Sequence, residues 1–157
     1  MEMKILVSDP LSPQGVELLQ RQAQVDLRPR LSPEELRQII GDYEALIVRS
    51  STCVTADIIE AGRRLKVIGR AGVGVDNIDV ARATERGIIV VNVPEANTVS
   101  AAELTLALLV SLARNIPGAN YSVKQGGWAR ERFLGIELNR KTLGIIGLGH
   151  VGSEVGR

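Results

Sequence analysis

Five short apolar runs recur through the first part of the chain, each followed by a helical stretch with its own start and stop signals. The runs are Ile5-Leu6-Val7, Val25-Asp26-Leu27, Ala45-Leu46-Ile47-Val48, Val67-Ile68-Gly69 and Ile88-Ile89-Val90-Val91. Most are continuous rather than alternating, the pattern of strands buried on both faces. Between them, Ser12-Pro13 sets a cap before a proline, and Leu18-Leu19 follow on one face. Ser32-Pro33-Glu34-Glu35 forms a capping box, closed by Gly41. Thr55 can cap a helix ending near Gly62; Asn77 or Asp79 can cap another ending at Gly87, with Val80 and Ala83 facing inward. Strand and helix alternating through short loops predict a parallel, doubly wound α/β layer. We expect the flavodoxin-like strand order 2-1-3-4-5, with ligands at the carboxyl ends of the strands.

The pattern changes near Pro94 to Ser100, which places a domain boundary at 97/98. Ser100-Ala101-Ala102-Glu103 reads as a second capping box. It opens a helix to Arg114 whose Leu104, Leu106, Leu108, Leu109, Val110 and Leu112 go nearly all the way round. Such a helix is expected to be covered on more than one side, by a second layer, domain or subunit. Pro117 ends it and starts a shorter helix that Gly126-Gly127 closes. A polar stretch from Trp128 to Asn139 leads to an expected sixth strand, Thr142 to Ile146, and a helix that has only begun at Arg157. The expectation is therefore a substrate domain, 1–97, followed by the start of a Rossmann domain, 98–157, the chain being incomplete as an enzyme and inactive alone.

Bulk properties narrow the function classes. A net charge of +1 lacks the basic surplus of a nucleic-acid binder. One cysteine, Cys53, excludes a disulfide framework within the chain and suits a reducing compartment; with no visible base partner it reads as an inert, buried or half-buried thiol. The start of the chain is not a signal peptide, and the apolar stretch 101–113 is too short for a membrane span. The expected setting is cytoplasmic, with no membrane or nucleic-acid partner. No Cys/His cluster suggests a metal.

The strongest motif is G-x-G-x-x-G at Gly147, Gly149 and Gly152, after an expected strand and opening a helix. The first glycine permits a tight turn, the second lets backbone approach a pyrophosphate, and the third allows close packing. His150 and Val151 lie within this loop, His150 reading as a loop residue rather than a general base. The acidic residue that would complete the motif, roughly 20 positions on, falls beyond Arg157, so NAD and NADP are not separated. A second site, from Arg70 through Gly72, Val73 and Gly74 to Asn77, follows the fourth run; two glycines two apart let amides converge on an anion. A third, Arg49-Ser50-Ser51-Thr52, follows the third run and suits phosphate or carboxylate. Arg130 and Arg132 could add to a phosphate site, or form a solvated, ion-paired stretch. Trp128 reads as a packing anchor.

Together these segments resemble the D-isomer-specific 2-hydroxyacid dehydrogenases. The carriers are ALIVRS at 45–50, GRAGVGVDNID at 69–79, NTVSAAEL at 97–104, residues 128–138, and GLGHVG at 147–152. The resemblance implies a discontinuous substrate domain completed by chain further on, and a cofactor domain that binds NAD and forms a homodimer or homotetramer. It implies that the loop 71–75 holds a substrate carboxylate through its amides. Arg49, Ser50 and Arg70 would face a phosphate, with Arg130 or Arg132 reaching it from a partner subunit. The implied reaction is oxidation of 3-phosphoglycerate to 3-phosphohydroxypyruvate, the first step of the phosphorylated route to serine. The family's catalytic residues fall beyond Arg157, so none is named in this chain. A dehydrogenase for an unphosphorylated 2-hydroxy acid, and an NAD-sensing, corepressor-like binding protein, share the fold and remain alternatives.

Overall fold

The computed structural model describes residues 3–157, which divide into two compact units on either side of the Ala96–Asn97 bond. In the first unit, β1 (Lys4–Val7), β2 (Gln24–Leu27), β3 (Ala45–Val48), β4 (Val67–Arg70) and β5 (Ile89–Val91) are all parallel. Their order is β2-β1-β3-β4-β5, the flavodoxin-like order expected from the alternation. The crossovers are α1 (Pro13–Gln20), α2 (Pro33–Ile39), α3 (Ala56–Ala61) and α4 (Val80–Glu85).

Local chemistry sets three of the four helix starts in this unit. The Ser12 hydroxyl accepts from the Gly15 amide, and both halves of the Ser32–Glu35 capping box are made. The Ser32 amide and hydroxyl hold the Glu35 carboxyl below the usual carboxylate range. Asp79 caps α4 by accepting from the Arg82 amide, which leaves the Asn77 side chain for contacts elsewhere; Thr55 stands at the start of α3 without a side-chain bond.

Alternate strand residues feed two cores, as the two-residue repeat of a strand requires. Leu6, Leu46, Val48 and Ile68 pack with Leu36, Ile58, Ile59 and Ala83. Ile5, Val7 and Ala45 join Ala23 on the other face. That second face has thinner cover, and β5 stands at the edge of the sheet. Leu18 is exposed, and β5 is not buried on both sides: Ile89 is 60% exposed and Val91 is also open. An edge strand has one neighbour, and here an apolar groove of about 380 Å³ runs past Leu18, Leu19, Ile47, Gly69, Val91 and Val93. Val80, expected to point inward, is 38% exposed, because the first residue of α4 projects past the sheet while Ala83 fills the contact.

The second unit holds α5 (Thr98–Ala113), α6 (Ile116–Lys124), a 3-10 turn at Arg130–Phe133 and α7 (His150–Val155). Asn115, left-handed at φ 53°, breaks α5 from α6, and Pro117 sits in the first turn of α6. The expected capping box at Ser100 does not form. The helix starts three residues earlier, with Asn97 at the cap position and Ser100 inside the first turn. The expected strand at 142–146 is also not formed, since the described residues of this unit offer no second strand to complete a ladder. Within this chain α5 is largely uncovered: only Ala102 is buried, and Leu112 is 79% exposed. Its main neighbours are α7 and the extended segment at 134–138, where the Ile136 amide donates to the Ala113 carbonyl at 2.8 Å. No single helix among the described residues is long and apolar enough to cross a membrane; α5 and α6 would pass only as a pair, bent by 67°.

Burial differences along one sheet give a direct test. Ile68→Ala, in the closed core, should cost about 2–5 kcal/mol, whereas Ile89→Ala on the open edge should cost less than about 1 kcal/mol. Urea unfolding of the two variants checks this, and equal costs would contradict the one-sided cover. A second test lies at the β2 edge, where the Tyr43 hydroxyl donates to Asp26 Oδ2 at 2.7 Å. Burial, and then this hydrogen bond, push the Tyr43 phenol up to about 12. The native state then keeps a proton that the unfolded chain loses from about pH 10. The stabilisation is complete below that pH and is lost as pH rises toward about 12. Unfolding midpoints measured across that window should fall, and the fall should be shallower in Tyr43→Phe.

Candidate functional site

Parallel strands all present their carboxyl ends to the same edge, so the loops after β1, β3 and β4 gather there. Val48 pairs in register with Arg70, and Arg49 follows Val48 directly. The two expected arginines are therefore neighbours at the sheet edge. Neither meets a carboxylate among the described residues, whereas Arg21, Arg64, Arg82 and Arg86 each do. The Nε of Arg70 is buried without a hydrogen-bond partner, a state that costs about 1–3 kcal/mol and that a bound acceptor would relieve.

The loop 71–76 is framed from its carbonyl side. The Ala71 amide donates to the Val48 carbonyl at 2.8 Å, and the Val93 amide to the Gly72 carbonyl at 2.9 Å. The Asn92 side chain donates to the Val73 carbonyl at 2.6 Å. The amides of Val73, Gly74 and Val75 donate to none of the described residues. Neither Gly72 nor Gly74 has positive φ. A Cβ at Gly72 would run into the Arg70 guanidinium, and one at Gly74 would lie 2.7 Å from Asp76 Oδ1, so a side chain at either position would displace those groups. The guanidinium is thus folded down against the loop whose amides are unpaired.

Ser8 and Asp9, which sequence reasoning missed, and Asn77, which it placed in the second site, hold the neighbouring loop. Asp9 is only 4% exposed, and its Oδ2 accepts from the amides of Arg49 at 2.6 Å and Thr52 at 3.3 Å. Asn77 Nδ2 donates to the carbonyls of the same two residues, Arg49 at 2.7 Å and Thr52 at 2.6 Å. Ser8 adds a hydroxyl contact to Thr52 Oγ1 at 3.2 Å. A polar Ser8-Asp9 pair straight after an apolar strand was the available signal for Asp9. Ser50 lies at the exposed tip between the held positions. Cys53 is exposed, not buried, because it follows this tip rather than entering the core.

In the second unit, Gly147 has φ 91° and makes the tight turn. Gly149, at the start of α7, faces open space, while a Cβ at Gly152 would collide with the Gly147 carbonyl. His150 and Val151 form the first turn of α7. Turn, open approach and close packing are thus divided among the three glycines, which fits a loop whose backbone lies against a pyrophosphate. Arg130 and Arg132 sit on the 3-10 turn. Trp128 is 72% exposed, not a packing anchor; the Arg130 guanidinium lies over its ring, 4.9 Å from the centroid. Among the described residues no group of three or more His, Cys, Asp or Glu could hold a metal ion.

Comparison with known proteins places this arrangement. The chain is 54% identical over 152 residues to a D-3-phosphoglycerate dehydrogenase of Synechocystis sp., covering 97% of this chain and 27% of that protein. It thus spans under a third of the length of the curated relatives it matches. Among solved structures, the TT0316 protein of Thermus thermophilus superposes with a TM-score of 0.90 at 33% identity, over 98% of this chain and 51% of that one. An NAD+-bound 3-phosphoglycerate dehydrogenase of Entamoeba histolytica gives 0.77 at 32% identity, over 99% and 50%. Residues 5–152 match the D-isomer specific 2-hydroxyacid dehydrogenase catalytic domain, and the chain belongs to that family.

Proposed function

We propose that the protein of which this chain is a part is an NAD-dependent dehydrogenase that oxidises 3-phosphoglycerate to 3-phosphohydroxypyruvate. The observation that carries this reading is the pair of arginines without carboxylate partners, Arg49 and Arg70, at adjacent strand ends beside a loop with three unpaired amides. A guanidinium takes a phosphate through paired, charge-assisted hydrogen bonds, and converging amides suit a carboxylate. A substrate carrying both groups matches the two kinds of donor. In this assignment Gly72, Val73 and Gly74 take the carboxylate, and Arg49, Ser50 and Arg70 take the phosphate. Arg130 and Arg132 add charge to the phosphate from a partner subunit.

Residues 1–97 serve as the substrate domain and 98–157 as the start of the dinucleotide domain. The turn at Gly147, the open face of Gly149 and the close packing at Gly152 fit a pyrophosphate, so Gly147, Gly149, His150, Val151 and Gly152 would hold the cofactor. The bound nicotinamide supplies a hydride acceptor for the secondary alcohol. This chain's own residues bind and orient the acid. The single exposed thiol suits a reducing, cytoplasmic setting.

The test is Arg49→Ala in the full-length protein. A charge-assisted bond is worth about 1.5–3 kcal/mol, so the Michaelis constant for 3-phosphoglycerate should rise roughly 10- to 100-fold while that for NAD holds. Equal effects on both would assign Arg49 a structural role.

Assembly through α5 is part of the same proposal. Leu104, Leu106, Leu108, Val110 and Leu112 are all exposed around a helix of 16 residues, and a two-fold contact covers one side of such a helix by symmetry. Single Leu→Lys changes along α5 in the full-length protein should include at least one that yields a folded monomer by light scattering. If every change either unfolds the protein or leaves its mass unaltered, the helix is not the subunit contact.

A further inference from the structure

We propose that Asp9 and Asn77 are positioning residues that lock the Arg49–Thr52 loop to the Arg70–Asn77 loop, so that the two anion-binding elements are presented as one preformed unit. The inference rests on the phosphate reading given above and identifies what builds that site. Arg49 and Thr52 each have their amide held by Asp9 and their carbonyl held by Asn77. Both flanks of the turn are thus fixed at both polar groups by two side chains from outside it. Asp9 leaves the carboxyl end of β1, and Asn77 closes the loop after β4, so the β3 loop is gripped from both sides.

Backbone pairing adds a second tie. The Val54 amide donates to the Asn77 carbonyl at 2.8 Å, and the Asp79 amide to the Val54 carbonyl at 2.9 Å. The intervening Ser50 and Ser51 remain exposed, with amides that donate to none of the described residues. A loop clamped at its feet and open at its tip loses little freedom when an anion arrives, so binding avoids the ordering cost that a mobile arginine loop would incur. An asparagine suits position 77 because the side chain there faces two carbonyls. It must supply two donors, which one amide nitrogen provides. A carboxylate there would face the same two carbonyls as an acceptor.

The experiment compares kcat/KM for 3-phosphoglycerate and for D-glycerate in the full-length protein, together with the Michaelis constant for NAD and the thermal midpoint. Asn77→Asp and Asn77→Ala should each lower the preference for the phosphorylated acid by about ten-fold or more, as expected for displacing one charge-assisted contact. The constant for NAD should be unchanged. Asp9→Asn, which keeps an acceptor oxygen for the two amides, should retain the preference better than Asp9→Ala. A folded Asn77→Ala protein with the native preference, and only a lowered thermal midpoint, would overturn the proposal. So would failure of every variant at both positions to fold, since the pair would then hold up the fold rather than the site. Arg49→Ala is measured alongside. If it leaves the preference intact, the phosphate reading fails, and the clamp is judged by amide hydrogen exchange at Ser50, Ser51 and Thr52. Faster exchange in Asn77→Ala supports the clamp, and unchanged exchange overturns it.

Discussion

The parallel pairing of β1, β3 and β4 is the constraint on which the site depends. Parallel strands deliver every following loop to one edge, and the register Val48↔Arg70 brings two arginines from distant sequence positions side by side. An antiparallel pairing of the same strands would send one of them to the opposite end of the sheet. The topology also places β1 and β3 next to each other while their connections leave over different faces, which opens the crevice used by ligands in folds of this order. Asp9 and the Arg49–Thr52 loop stand at that crevice.

The buried Asp9 carboxylate is unusual in its partners. A charge held in the interior is ordinarily paired with a cation, but Asp9 takes backbone amides of the very loop that carries Arg49. The carboxylate therefore orients the peptide without occupying the guanidinium. Asn77 does the same work at the carbonyls. Cationic side chains stay available because neutral donors and one acidic side chain have taken over the structural hydrogen bonds. The collision that a Cβ at Gly72 would have with Arg70 follows the same logic: a side chain there would push the guanidinium away from the loop.

Two apolar surfaces lie open, and each has a physical reading. The groove beside β5 is a sheet face over which α1 gives only partial cover. The exposed leucines of α5 lie around the helix, with only α7 and the segment at 134–138 against it. Both surfaces agree with a chain that spans under a third of its relatives' length.

The amino-acid sequence by itself determined the α/β class, the proline-bearing caps at Ser12 and Ser32, and the placing of Arg49 and Arg70 at strand ends. These are set by local periodicity and capping chemistry, which act over a few residues or one connection. The sequence also announced the turn at Gly147 through its spacing to Gly149 and Gly152. Only the tertiary structure decided that Val80 faces water, that 142–146 forms no ladder, that α5 starts at Thr98, and that the Arg70 guanidinium lies against Gly72. It alone joined Asp9 to Thr52, 43 residues apart, and Asn77 to Arg49, 28 residues apart. Side-chain bonds across such separations depend on strand register and loop path, and no pattern along the chain encodes which polar residue will meet which backbone group.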